Sequence, residues 1–200
     1  MSHSPDFTRD RRGWFYRALA PDASCDVLEV GDAFASNWFS NVVRRDLAEA
    51  AAHGSSPFDM VLLHQSLGGC TTLKSAIDAA HRLLRPGGIL VVAGENRLVS
   101  ARRGARSIAR APRATGWGLR ALMSGAGFER VVLYAVYPDA VSPVHVVQAD
   151  RPSSREFFHA AFRTRRRSRW SPVRLALAAL TELNLMPYLQ PNFVIVGKKC

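Results

Sequence analysis

The chain has 200 residues, 48% of them hydrophobic, and a formal net charge of +11. That balance suits one packed domain with an appended helical piece, and it excludes collagen-like, repetitive and low-complexity chains. The three cysteines, Cys25, Cys70 and Cys200, are far apart and form no C-x-x-C pair, which argues against a disulfide framework or a zinc site.

The charge is uneven. Met1–Leu90 holds 9 Lys/Arg against 10 Asp/Glu, and Val91–Cys200 holds 18 against 6. The positive excess therefore belongs to the second half, which fits a phosphate-rich, membrane or acidic-protein partner. The apolar runs are too short to span a bilayer; Val173–Leu180 is itself interrupted by Arg174. Met1–Arg12 is polar and lacks a signal-peptide core, so the chain reads as cytoplasmic.

In chain order, residues 1–24 read as an arm followed by a short helix over Gly13–Ala20, packed through Trp14, Phe15 and Leu19. Cys25–Val30 is a buried strand stopped at Gly31, with Cys25 as a plain core thiol. Phe34–Ala52 reads as helical, most clearly over Leu47–Ala52, and Gly54-Ser55-Ser56-Pro57 is a turn. Phe58–His64 is a second strand. Thr71 or Thr72 caps a helix reaching Leu84, with Leu73, Ile77, Ala80 and Leu84 at helical spacing. After the Arg85-Pro86-Gly87-Gly88 turn, Ile89–Ala93 is a third, fully apolar strand.

Arg97–Arg113 carries six arginines and no acid, and reads as a basic loop or exposed helix. A helix over Gly118–Ser124 precedes a fourth strand, Glu129–Tyr137. Ser153-Ser154-Arg155-Glu156 matches a capping box, and Ser171-Pro172 opens a further helix ending at Met186-Pro187. Phe193–Val196 is the last strand, and Gly197–Cys200 is a tail. Strand–helix alternation of this kind defines an α/β domain with a mostly parallel sheet over residues 25–200, carrying a helical insertion at about 151–187.

Four segments add a family resemblance. Val27-Leu28-Glu29-Val30-Gly31 runs a strand into a glycine turn, and Phe58–Leu63 follows as a central strand. Leu83–Val92 contains the R-P-G-G-I-L-V-V turn, and Leu119–Leu122 is followed by Ala126-Gly127-Phe128. In this order they resemble the class I S-adenosylmethionine-dependent methyltransferases, a Rossmann-like fold with an antiparallel last strand, here Phe193–Lys198. The resemblance implies S-adenosylmethionine as cofactor and a small-molecule or glycan-like acceptor of the methyl group. It implies that Glu29, Gly31, Asp32, Ala33, Asp59 and Gln65 shape the cofactor side. It places His64 and Glu95 beside the acceptor, as a general base or as a strand-ending group. Each has a structural reading too: His64 as a hydrogen-bonding strand end, and Glu95 as a loop cap.

The chain departs from the family pattern in three ways. The glycine turn reads Gly31-Asp32-Ala33-Phe34-Ala35-Ser36, with alanines where relatives carry glycines. Only 27 residues, Asp32–Phe58, lie where two strand–helix units need about twice that number. Asp46 is the one candidate for the acid that holds ribose hydroxyls in related folds, but it comes early in the chain for that role and reads instead as a helix N-cap for Leu47–Ala52. Omission of the middle units would leave the first strand as an open edge, covered by the C-terminal helices, a second copy or a partner protein. The alternative function is therefore a degenerate methyltransferase-like subunit that binds a partner through that edge or its basic C-terminal half. The run Arg163–Arg169, with Phe157, Phe158 and Phe162, makes a basic amphipathic helix suited to nucleic acid or an anionic membrane, or a solvated face docked on the sheet.

Overall fold

The computed structural model describes residues 13–31, 38–52, 57–64, 68–96, 114–163 and 172–200. Expectations on Met1–Arg12, Arg97–Arg113 and most of Arg163–Arg169 lie outside these residues. The elements are α1 (Trp14–Leu19), β1 (Asp26–Gly31), β2 (Asn41–Arg44), α2 (Leu47–Ala52), β3 (Phe58–His64), α3 (Leu73–Leu83) and β4 (Leu84–Glu95). They continue with α4 (Gly116–Gly125), β5 (Phe128–Tyr137), β6 (His145–Gln148), α5 (Pro152–Arg163), α6 (Pro172–Glu182), a 3-10 turn (Met186–Leu189) and β7 (Asn192–Lys199).

One seven-stranded sheet runs in the order β2-β1-β3-β4-β7-β5-β6. β2, β1, β3 and β4 are parallel, while β7 runs antiparallel between β4 and β5. Seven strands thus stand where about five were expected. One of the two added strands, β6, pairs antiparallel with β5. The other, β2, corrects two expectations. Residues 41–44 are strand rather than helix, and β1 is not an open edge because Asp26–Glu29 pairs with Asn41–Arg44. One strand–helix unit, β2–α2, occupies the shortened middle among the described residues.

The strands are apolar runs because both faces of the sheet are covered. Alternation sends Leu28, Val30, Val61, Leu63, Leu90 and Val92 to one face, where α2, α3 and α4 pack. Val27, Met60, Leu62, Val91 and Ala93 go to the other, under Phe15 and Tyr16 of α1 together with Trp38 and Phe39. α1 is therefore part of this core. Gly13 N–H donates to Val141 O at 2.7 Å, Trp14 Nε1 to Pro143 O at 3.0 Å, and Tyr16 Oη to Ala140 O at 2.8 Å.

Several sequence signals act locally as expected. Thr72 caps α3, its hydroxyl accepting from Ser75 N–H while the Ser75 side chain reciprocates. The Arg85–Gly88 turn is a bulge inside β4: Phe58 pairs with Leu84 and Met60 with Ile89, so the extra residues loop out. Gly87 takes φ 79, and a Cβ on Gly88 would lie 2.9 Å from Arg85 O. Two expectations change. Pro152 opens α5, so Ser153 is helical; Ser154 donates instead to Arg151 O at 2.7 Å. The residues expected as a tail extend β7, with Lys198 and Lys199 paired to Ile89 and Phe128. Lys199 Nζ closes the carboxyl end of α3 with bonds of 2.7 Å to His81 O and Leu84 O.

Candidate functional site

Open α/β sheets bind ligands at the carboxyl ends of strands where the connections leave in opposite directions. Here β1 is followed outward by β2, and β3 is followed on its other side by β4. The reversal falls between β1 and β3, and at that point Gly31 pairs with His64, which pairs in turn with Ala93. Gly31 adopts φ 106, a conformation that suits glycine and lets the chain leave the strand sharply.

Alternation also decides which side chains share this edge. Glu29 follows Val27, His64 follows Leu62, and Glu95 follows Ala93, so all three point to the face covered by α1, Trp38 and Phe39. The structure thus brings Glu29, Gly31, His64 and Glu95 together along one edge and face. Glu95 is half-buried and His64 is buried. Asp32, Ala33 and Gln65 lie outside the described residues.

Asp59 lies elsewhere. It is the second residue of β3, about 16 Å of extended chain from His64. Its carboxylate accepts from Arg85 at 2.8 and 2.9 Å and from Asp26 N–H at 2.9 Å. Arg85 also meets Asp26 at 2.7 Å, so this network ties together the amino ends of β1, β3 and β4. These carboxylates hold the Arg85 guanidinium above its ordinary pKa.

Glu29 has a partner within the chain. Its side chain is wholly buried, and Arg44 Nε donates to it at 2.9 Å across the β1–β2 register. A buried carboxylate needs such a partner, because desolvation of an unpaired charge is costly. Asn96, beside Glu95, donates through its amide to Tyr188 O and Gln190 O, and its N–H donates to Pro191 O at 2.8 Å. It therefore pins the segment that leads into β7. Cys70 is half-buried, and burial pushes its thiol pKa up, which fits a quiet packing thiol.

Asp46 is the residue whose position changes most in meaning. With β2 ending at Arg44, Asp46 lies two residues beyond a strand adjacent to β1, at the carboxyl edge. Its carbonyl accepts from Ala50 N–H at 2.9 Å, so it also begins α2. The loop after β3 closes over it: Gly68 O accepts from Ala48 N–H at 2.9 Å, and a Cβ on Gly69 would lie 3.7 Å from the Asp46 carboxyl carbon. The V-V-R-R-D pattern held the signal, but only once Val42 and Val43 are read as strand.

The sheet order and this edge define the fold of the class I S-adenosylmethionine-dependent methyltransferases. The sequence agrees: residues 6–92, which run through β1, β2, β3 and most of β4, match the methyltransferase domain family. No curated protein matches the chain in sequence. Among solved structures it is similar to an S-adenosylmethionine-dependent methyltransferase of Thermotoga maritima described as a possible histamine N-methyltransferase. The TM-score is 0.54 at 16% identity, over 92% of this chain and 86% of that one. A second is an S-adenosylmethionine-dependent methyltransferase of Archaeoglobus fulgidus, with a TM-score of 0.54 at 12% identity over 96% of each chain. Likeness at these identities establishes the fold.

Among the described residues no helix is long and apolar enough to cross a membrane, and no group of three or more His, Cys, Asp or Glu could hold a metal ion.

Proposed function

We propose that the chain transfers a methyl group from S-adenosylmethionine to a small-molecule or glycan-like acceptor. The observation that supports this reading is the reversal of strand order at β1, beside the Gly31–His64 pair, which is the place where open α/β sheets bind ligands. The residues there fit the cofactor in part. Gly31 lets backbone approach a ligand closely, and Asp46 lies where an acid can accept from ribose hydroxyls. Bound S-adenosylmethionine supplies the activated methyl group.

The chain's own contribution is binding, orientation and proton handling. Glu95 is half-buried at the end of β4, so it can accept a proton from an acceptor hydroxyl or amine. His64 is buried between Gly31 and Ala93, so it shapes the wall and orients what lies against it.

One observation favours a second reading, that of a catalytically degenerate subunit acting through a partner protein. The Glu29 carboxylate is engaged by Arg44, and is thereby withheld from a cationic ligand group.

The test is transfer of label from methyl-labelled S-adenosylmethionine to a panel of hydroxyl, amine and sugar acceptors. The enzyme reading expects transfer, lowered about 100-fold by Glu95→Gln, the range for losing a general base. Absence of transfer to any acceptor, with the cofactor bound, would favour the subunit reading.

A further inference from the structure

The stripe along α6 is apolar and open to solvent. Leu175, Ala179 and Leu183 recur at i, i+4 and i+8, and the Leu183 N–H still bonds to Ala179 O at 2.9 Å, so all three lie on one helical face. Leu175 is 61% exposed and Leu183 68%. Ala176 and Ala178 beside them are exposed as well. The opposite side of the helix faces the protein: Thr181 is buried, and Leu177 and Leu180 are half-buried. Glu182 fastens α6 to α5 through His159 at 3.0 Å and Arg155 at 3.7 Å. A helix this apolar is ordinarily sheltered, and one held out on a second helix with its leucines in water marks an interaction surface.

Charge says what covers it. From Phe157 to Thr181 the sequence holds six arginines and no acid, and the whole chain carries +11. Like charge of that size opposes association of two copies. Two leucines and three alanines also fall well short of the roughly 800 Å² per partner of a stable interface. Nucleic acid is met by basic and aromatic side chains and has no use for an aliphatic stripe. An aliphatic stripe on a helix that follows an arginine-rich run in sequence matches a bilayer surface that carries anionic phospholipid. We infer that α6 docks the protein on such a surface, its axis in the plane of the interface and Leu175 and Leu183 inserted among the lipids. An 11-residue helix is about 16 Å long, enough to lie on a membrane and too short to cross it.

The experiment is co-sedimentation of the full chain with vesicles of phosphatidylcholine alone, or of phosphatidylcholine mixed with phosphatidylglycerol, at low and at raised salt. The chain is expected to pellet with the mixed vesicles only, and less at raised salt. The double variant Leu175→Ser and Leu183→Ser adds no charge and is expected to partition about tenfold more weakly. Its melting temperature should match the wild type, because both leucines already face water. Equal partition of variant and wild type, or no pelleting of the wild type, overturns the inference. So does a wild-type dimer in sedimentation velocity that the double variant dissociates, which would assign the stripe to a second copy. Oligonucleotide binding that survives both substitutions, with no vesicle binding, would assign the charge to nucleic acid.

Discussion

Gly68 shows how narrowly the edge of the sheet is built. Its φ is 56, and a Cβ there would lie 2.6 Å from Leu47 Cβ, 2.7 Å from Val30 Cγ1 and 2.9 Å from Leu47 N. Two of these neighbours belong to α2 and one to β1, so none is the free end of a flexible side chain. Gly68→Ala is therefore expected to destabilise the protein by about 3 kcal/mol, combining an unfavourable left-handed φ with overpacking. Urea unfolding checks this, and a loss below about 1 kcal/mol would show that the loop yields. The same scale separates residues that the sequence alone groups together. Gly31, His64 and Glu95 each end a parallel strand on one edge, and Glu29 lies two residues before the end of β1 on the same face. Asp59 is the second residue of its strand and serves Arg85 and Asp26. Position within the strand, one residue from the start in one case and at the end in the other, decides between ligand edge and structural tie.

At the scale of elements, α1 tests how the second face of the sheet is covered. Tyr16 is fully buried, burial pushes its phenol well above the ordinary range, and its hydroxyl donates to Ala140 O. Tyr16→Phe keeps the ring and leaves that carbonyl without this donor. The expected loss is about 1.5 kcal/mol, read as a fall in denaturation midpoint with an unchanged slope. An unchanged midpoint would mean that water or another donor replaces the hydroxyl.

The elements legible in the sequence were those whose periodicity was undiluted. β1, β3, β4 and β5 each hold a mostly apolar stretch beside a glycine or proline break, and α3 announces itself by cap and spacing. β2 was hidden because it is four residues long and mostly exposed, and because it runs without a break into the alanine-rich α2, whose helical pattern dominates the window. β6, His145–Gln148, is equally short and gains its strand character from pairing with β5. Its tertiary pairing lies outside any local window. The helix α5 starts two residues before the position that the capping box implies, because Pro152 favours the first helical position more strongly than Ser153 favours the cap.

At the scale of the molecule, β2 changes the functional reading. Without it, β1 would be an edge and the sheet would wind one way, with no crevice at the reversal. With it, the reversal at β1 is kept, and the loss is confined to one strand–helix unit. The strand-end positions of Gly31, His64 and Glu95 were legible in sequence, since strand ends followed by glycine or polar groups stand out. The topology of the site was not legible, because strand order is a property of the whole sheet.

The central claim is that this shortened sheet still binds S-adenosylmethionine. Calorimetric titration of the full chain with S-adenosylmethionine and with its demethylated product tests it most directly, with Gly31→Val and Asp46→Ala alongside. Melting curves serve as the control, since Gly31→Val also strains a backbone at φ 106. The expected result is micromolar binding by the wild type, weakened about tenfold or more by each substitution in folded protein. No heat of binding at millimolar ligand, from a wild type that melts cooperatively, would contradict a working cofactor site and leave the fold as a scaffold for a partner.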